Sequence, residues 1–164
     1  LDDAFVLESS HGLGNGEPTE AFVALLDGVP THIILPLIAP EGYTGPIRLV
    51  MSIDMTGTVQ GVRVVEHKET PGLGDKIDIK KSDWVLGFNG KSLATHTEAS
   101  WKVKKDGGDI DQLTGATITP RAIVKAVYQA LLYFRDNQDQ LVAQALHNVL
   151  SEKQADQPAA IEGK

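Results

Sequence analysis

The 164-residue chain contains no cysteine, and this absence removes several kinds of chemistry at once. Disulfides, zinc ribbons, iron–sulfur clusters and thiol nucleophiles all need cysteine side chains, so none of them can be built from this sequence. A chain of this length buries about 70% of the surface that its unfolded form exposes, which is enough for a core without cross-links. The sequence therefore predicts one ordinary globular domain.

The sequence also lacks a basic run and a long apolar segment. Lys and Arg number 15 against 22 Asp and Glu, and the net charge of −7 argues against binding to nucleic acid, whose phosphates it would repel. The longest apolar run, residues 33–39, is far shorter than the ~20 residues that span a bilayer. The chain begins at Leu1 rather than Met, so we expect that an upstream segment has been removed.

The first half of the chain has the pattern of an antiparallel sheet. Four β-type segments are separated by short turns rich in glycine or proline, as in a meander of neighbouring strands. These segments are residues 21–26, 31–38, 47–53 and 59–65. Segment 31–38 is apolar at nearly every position, which predicts a strand that is covered on both faces.

The last third of the chain changes to a helical period. One apolar stripe is formed by Ile123, Ala126, Val127, Ala130, Leu131 and Phe134. Thr119, followed by Pro120, predicts the N-cap of this helix. Residues 141–150 carry their own apolar face and predict a second helix. Strands followed by helices indicate an α+β domain, mainly antiparallel sheet with C-terminal helices packed against it.

Composition sets the predicted limits of this domain. Residues 1–20 are polar and rich in glycine, and we expect a flexible lead-in there. Residues 21–152 contain all the predicted strands and helices and form the domain. Residues 153–164 return to a polar composition, which predicts a disordered tail.

Searches for hydrolytic, metal-binding and nucleotide-binding motifs find none. The five histidines lack the HExxH spacing, and the chain has neither a GxSxG elbow nor a GxxxxGK(S/T) loop. The glycines of residues 12–16 follow no predicted strand and open no predicted helix, so they do not indicate a dinucleotide site. We therefore predict no catalytic residue and no metal site.

One segment indicates a ligand. Residues 111–117 (DQLTGAT) end directly before the first predicted helix, and Gly115 and Ala116 leave the backbone uncovered between Thr114 and Thr117. A helix start offers unpaired N–H groups and partial positive charge, which favour a phosphate. On these residues alone a second interpretation stays open, because threonines before a helix are also ordinary caps.

Further residues add to this indication. Lys104, Lys105 and Arg121 bring positive charge close to the segment in an otherwise acidic chain. Residues 69–74 (ETPGLG) follow a predicted strand, and their glycines allow the backbone to approach a flat ligand closely. Trp84 and Trp101 could stack on such a ligand, but core packing is the commoner role for tryptophan, so we leave them out of the predicted site.

Residues 111–117 resemble the flavinylation motif D-x-x-S/T-G-A-T of the FMN-binding domain family, in which the final threonine carries FMN through a phosphoester bond. Residues 42–47, 66–76 and 101–109 resemble the G subunits of Rnf-type electron-transport complexes and, more distantly, the C subunits of sodium-pumping NADH:quinone oxidoreductases. The resemblance implies covalent FMN on Thr117. The other implied cofactor-binding residues are Glu69, Thr70, Pro71, Gly72, Leu73, Gly74, Thr114, Gly115 and Ala116.

The same resemblance implies a function. It implies an electron-carrying subunit of a membrane-bound Rnf-type complex that couples electron transfer to ion translocation and is not catalytic alone. It also implies other subunits as partners, a separate flavin transferase, an N-terminal membrane helix upstream of Leu1, and a domain on the periplasmic side of the bacterial inner membrane. The alternative is a non-redox envelope module for binding or scaffolding, in which the TGAT segment is only a helix cap.

Overall fold

The computed structural model describes residues 4–7, 13 and 19–156 of the chain. In these residues five strands precede one helix: β1 (Ala4–Leu7), β2 (Thr19–Leu26), β3 (Val29–Ala39), β4 (Ile47–Asp54), β5 (Val59–Glu66) and α1 (Ile118–Asp156). The long connection from β5 to α1 contains short 3-10 turns at Gly74–Ile77, Trp84–Phe88, Glu98–Ser100 and Lys104–Asp106. The predicted α+β fold is confirmed.

The strands form one antiparallel sheet in the order β1-β2-β3-β4-β5. Asp27 and Gly28 join β2 to β3 with φ angles of 52° and 79°, and two positive φ angles of this kind suit a tight hairpin turn. Burial alternates along β3, where Ile33, Leu35, Leu37 and Ala39 are buried and the residues between them are partly exposed. The prediction that this strand is covered on both faces is therefore wrong, because burial is complete on one face only.

Helix α1 is continuous over 39 residues, where the sequence predicted two helices. Residues 135–140 contain neither glycine nor proline, so nothing in the backbone interrupts the helix there. At about 58 Å, α1 is longer than the longest strand, β3, whose 11 residues span about 36 Å, so the two ends of α1 cannot both lie over that strand. Leu150, predicted to lie on an apolar face, is accordingly 60% exposed, whereas the first predicted stripe is buried throughout.

Helix α1 begins two residues earlier than predicted, at Ile118 instead of Pro120. Thr119, predicted as the N-cap, lies inside the first turn, and its hydroxyl donates to Glu69 Oε1 at 2.7 Å. Pro120 still costs no hydrogen bond, because the first N–H groups of a helix have no partner within it. Thr117 is the residue that directly precedes the helix, which begins at Ile118.

Parts of the predicted lead-in, residues 1–20, belong to the folded structure. Strand β1 pairs with β2 in antiparallel register, and Leu13 lies in the core at 2% exposure. At the other end α1 continues four residues past the predicted boundary at residue 152. The predicted tail beyond residue 156 lies outside the described residues.

The packing of α1 on the sheet predicts a large effect for Ile123, which is fully buried near the start of the helix. Ile123→Ala should lower the free energy of unfolding by about 2–5 kcal/mol, because it removes buried methylene groups and leaves a cavity. Gln129→Ala, an exposed change in the same helix, should stay within about 0.5 kcal/mol of wild type. Urea denaturation measures both, and equal losses would contradict this packing.

Candidate functional site

Two loops that are distant in the sequence meet at the start of α1. Residues from both loops border a cleft of about 410 Å³, which we call cleft A. This volume lies within the range of small-molecule sites. Cleft A is lined by Tyr43, Thr70, Leu73, Gly74, Gly115, Ala116, Thr117, Ile118 and Thr119.

A second cleft of about 260 Å³, cleft B, shares residues 115–117 with cleft A. Its other lining residues are more polar and include Lys105, Gln112 and Thr114. Thr117 therefore borders an apolar cleft and a polar cleft at the same time.

Seven of the ten predicted site residues line these clefts. Thr70, Leu73 and Gly74 border cleft A, Thr114 borders cleft B, and residues 115–117 border both. The three predicted residues outside both linings, Glu69, Pro71 and Gly72, belong to the same loop as Leu73.

Three residues of cleft A were absent from the predicted site. Tyr43 is 66% exposed and Ile118 is 48% exposed, and with Leu73 at 41% they bring three exposed apolar side chains to one cleft. Thr119, the third, was predicted only as a cap. The sequence did indicate Ile118, since it is an apolar residue that falls outside the predicted buried stripe of the helix. Tyr43 lies in segment 42–47, which carried the family resemblance.

The Thr117 hydroxyl has no hydrogen-bond partner within the described residues, and its side chain is exposed. A capping threonine would accept an N–H from the first turn, and Thr117 does not. Thr119 is 2% exposed and already donates to Glu69. Thr114 is exposed but borders cleft B alone.

Glycine permits the close contacts between the two loops. Gly115 has a φ of +78°, and a Cβ added there would lie 2.7 Å from Leu73 Cδ2. A Cβ at Gly74 would lie 2.7 Å from Thr119 Oγ1 and 3.0 Å from Glu69 Cβ. A larger residue at Gly74 would press on the buried Glu69–Thr119 pair, whereas at Gly115 the positive φ is what favours glycine.

The Glu69 carboxylate is 4% exposed and hydrogen-bonded to two other segments. Oε1 accepts the Tyr43 N–H at 2.8 Å and the Thr119 hydroxyl at 2.7 Å, and Oε2 accepts the Thr44 N–H at 2.9 Å. The Thr44 hydroxyl also contacts Oε2. Burial alone would raise the pKa of Glu69, but the hydrogen bonds from Thr44, Thr119 and Tyr43 outweigh it and hold the pKa below its ordinary value.

The positive charge predicted near residues 111–117 is mostly paired. Lys104 Nζ lies 2.6 Å from Asp111 Oδ1, and Arg121 makes two hydrogen bonds to Asp106, at 2.7 and 2.6 Å. The hydrogen bonds from Arg121 hold the pKa of Asp106 below its ordinary value. Lys105 borders cleft B and forms no ion pair within the described part of the chain.

Both tryptophans are core residues. Trp84 is 8% exposed and donates its indole N–H to the Asp111 carbonyl at 2.7 Å, which holds the first residue of the DQLTGAT segment. Trp101 is 4% exposed and packs against Tyr128 at a ring distance of 6.0 Å. Trp101 and Tyr128 line a separate cleft of about 400 Å³ that includes none of the predicted site residues.

Comparison with known proteins places this geometry in a family. The family model described as FMN-binding domain matches residues 42–132, which include all the loops that border cleft A. The chain belongs to the FMN-binding domain family. The family resemblance drawn from residues 111–117 is thereby confirmed.

Similar proteins with curated names support this membership. The G subunit of the ion-translocating oxidoreductase complex of Vibrio cholerae is 52% identical over 141 residues, covering 86% of this chain and 68% of the relative. The protein of the same name from Shewanella loihica is 49% identical over 142 residues, covering 87% and 67%. That from Pseudomonas aeruginosa is 53% identical over 131 residues, covering 80% and 61%.

A solved structure shares the fold. The crystal structure of NqrC from Shewanella oneidensis matches with a TM-score of 0.61 over 87% of this chain and 70% of that chain. The two sequences are 23% identical, so this comparison supports the fold of the FMN-binding domain alone.

The residues at the two clefts fit the group that the family name implies. FMN combines a flat, largely apolar ring with a hydroxylated chain and an anionic phosphate. Cleft A offers the apolar side chains of Leu73, Ile118 and Tyr43, and the space beside Gly115 has no room for a Cβ. Cleft B offers the polar side chains of Lys105 and Gln112 beside a helix start.

The hydrogen bonds to Glu69 predict a pH dependence of stability. Its pKa is lower in the folded chain than the ordinary 4.5, so its ionisation stabilises the fold above that pH, and this contribution is lost as the pH falls through the folded value. Glu69→Gln should therefore flatten the stability curve between about pH 5 and pH 3. Thr119→Val, which removes one donor, should flatten it in part. Urea denaturation at a series of pH values measures this, and parallel curves for all three proteins would contradict it.

Proposed function

We propose that this chain is the FMN-carrying G subunit of an ion-translocating oxidoreductase complex, with the FMN phosphate esterified to Thr117. The observation that carries this proposal is the exposed, unpartnered Thr117 hydroxyl between an apolar and a polar cleft. Membership of the FMN-binding domain family and the names of the relatives support it.

The choice of Thr117 among three nearby hydroxyls follows from their surroundings. The Thr119 hydroxyl is buried and donates a hydrogen bond to Glu69, so a flavin phosphate cannot reach it. Thr114 does not border the apolar cleft. The interpretation of the TGAT segment as a mere helix cap is disfavoured, because neither Thr117 nor Thr119 makes a capping hydrogen bond within the described residues.

The two clefts suit different parts of FMN. The side chains of Leu73, Ile118 and Tyr43 would cover the ring in cleft A, and backbone groups of Thr70 and Gly74 would be available to its polar edge. Lys105 and the free N–H groups at the start of α1 would balance the phosphate charge. When bound, FMN supplies the electron-carrying chemistry, and the protein supplies attachment and orientation.

Formation of the ester needs help from another protein. The bond joins Thr117 Oγ to the phosphorus of a flavin phosphate donor. As it forms, the P–O bond to the donor's leaving group breaks, and that group departs with the hydroxyl proton, as water where the donor is FMN itself. No side chain within the described residues accepts a hydrogen bond from that hydroxyl, so no general base is in place. We therefore propose a separate flavin transferase as a partner during maturation.

The names of the relatives support the remaining partners, and the family resemblance supports the location. Their names describe a subunit of a complex, and we propose that the other subunits of such a complex are the partners of this chain. No helix in the described residues is long and apolar enough to cross a membrane. We propose that the domain works at the bacterial inner membrane, on its periplasmic side, where the complex couples electron transfer to ion translocation.

Thr117→Val tests the attachment site directly, because it keeps the branched shape and removes only the hydroxyl. After co-expression with a flavin transferase, wild type should gain the mass of FMN less one water and the variant should not. Intact-mass measurement shows this, and wild-type protein should stay yellow after denaturation.

The control for this experiment is Thr114→Val, which should still gain the flavin mass. Trypsin cleaves after Lys105 and Arg121, so one peptide contains all three threonines and fragmentation localises the modification. Covalent flavin on the Thr117→Val protein, or a flavin found on Thr114 or Thr119 of wild type, would refute the assignment.

Leu73→Ala tests whether cleft A holds the ring. The variant should gain covalent flavin yet show a shifted absorption band and altered fluorescence, because a side chain that covers the ring has been truncated. Ile79→Ala is the matched control, since Ile79 is exposed to a similar degree, 39%, and lines neither cleft. Identical flavin spectra in Leu73→Ala and wild type would place the ring elsewhere.

A further inference from the structure

We propose that Glu69 is a positioning residue for FMN, one whose carboxylate ties together the segments that border cleft A without touching the cofactor itself. The effect on FMN rests on the proposed function, whereas the hydrogen bonds of Glu69 are observed in this chain. It assigns to Glu69 a role different from the direct cofactor contact that the family resemblance implied.

The carboxylate connects three parts of the chain. Glu69 begins the loop that continues to Thr70 and Leu73 in cleft A. Its Oε1 holds the Tyr43 N–H at 2.8 Å and the Thr119 hydroxyl at 2.7 Å. All three segments that line cleft A therefore meet at one buried group.

The capacity of the carboxylate is used up within the protein. Two carboxylate oxygens accept about four hydrogen bonds. Three come from the Tyr43 N–H, the Thr44 N–H and the Thr119 hydroxyl. The fourth position is occupied by the Thr44 hydroxyl, whose single proton lies between Glu69 Oε2 and the Lys68 carbonyl. No acceptor position of the carboxylate is left for a ligand. Because Glu69 is only 4% exposed, a ligand in cleft A cannot reach the carboxylate.

Packing around this group leaves little freedom. The Glu69 N–H donates to His67 Nδ1 at 3.0 Å, which fixes the backbone of the same residue. Gly74 lies against the pair, since a Cβ there would come within 3.0 Å of both Thr119 Oγ1 and Glu69 Cβ. A shift of the carboxylate would therefore move the start of α1 and the loop at Tyr43 together.

Only a carboxylate satisfies all these donors. Glutamine has the same shape but replaces one acceptor oxygen by an NH₂ donor, which would face an N–H or a hydroxyl donor. Aspartate is one methylene shorter and cannot keep both distances. Glu69→Gln is thus a conservative change in volume that keeps one acceptor oxygen and places a donor against the N–H and hydroxyl groups at the other position, which weakens the connection between the segments.

The first experiment uses flavin-free protein and does not depend on the proposed function. Hydrogen exchange measured by NMR reports the Tyr43 and Thr44 amides, which should lose about tenfold in protection in Glu69→Gln. Glu41→Gln is the matched control, an exposed carboxylate next to the same loop that pairs with Lys125 at 3.2 Å, and it should leave this protection as in wild type. Unchanged protection in a folded Glu69→Gln protein overturns the proposal.

The second experiment uses protein loaded by a flavin transferase. Glu69→Gln should keep the covalent mass gain but show lower flavin fluorescence anisotropy and a weaker visible circular dichroism band than wild type. A wild-type flavin signal in Glu69→Gln would overturn the positioning role even if amide protection had fallen. Failure of wild type to gain covalent flavin would instead refute the proposed function and leave the exchange result standing.

If Glu69→Gln does not fold, single-donor variants decide the question. Thr44→Val and Thr119→Val each remove one hydroxyl donor and leave the carboxylate in place. Each should lower the protection of the Tyr43 amide and the flavin anisotropy, by less than loss of the whole carboxylate connection would. Wild-type values in both variants would overturn the proposal.

Discussion

A buried carboxylate is tolerated only when its oxygens are hydrogen-bonded, and in this protein that requirement determines how the site is assembled. Glu69 finds its donors in the loop after β3 and in the first turn of α1. The electrostatic need of one group thus brings together parts of the chain that are up to 50 residues away, and cleft A is the space that remains beside them.

The three threonines at the start of α1 show how position decides the use of the same functional group. Thr119 lies on the side of the helix that faces Glu69, and its hydroxyl is used in a structural hydrogen bond to that carboxylate. Thr117 precedes the helix, where its side chain projects between the clefts and finds no partner in the described residues. A hydroxyl that is neither buried nor hydrogen-bonded, next to unpaired N–H groups, is the one available for esterification.

The sequence predicts the features that depend on local pattern. Periodicity predicts the four strands from β2 to β5 and the buried stripe from Ile123 to Phe134. The motifs predict seven of the residues that line the clefts. Local pattern does not reveal features that depend on distant partners. Thr119 has the sequence pattern of a helix cap, but its hydroxyl instead donates to Glu69, 50 positions away. Tyr43 lies at cleft A because its N–H is bonded to the same carboxylate, and no local pattern indicates that contact. The division of α1 into two helices fails for a local reason, since a polar stretch without glycine or proline does not end a helix.

Covalent attachment changes what the clefts must achieve. A ligand held only by contacts must recover the entropy of association from those contacts, whereas a tethered ligand is present at an effective concentration in the millimolar range or above. A few apolar contacts from Leu73, Ile118 and Tyr43 then suffice to seat a ring, and these side chains can stay 41–66% exposed. An exposed ring would suit electron transfer between subunits, because a partner could approach it without opening the domain. If FMN is esterified to Thr117 as proposed, the ester would supply retention and the Glu69 connection would supply geometry. The partly exposed side chains of cleft A would leave the flavin accessible.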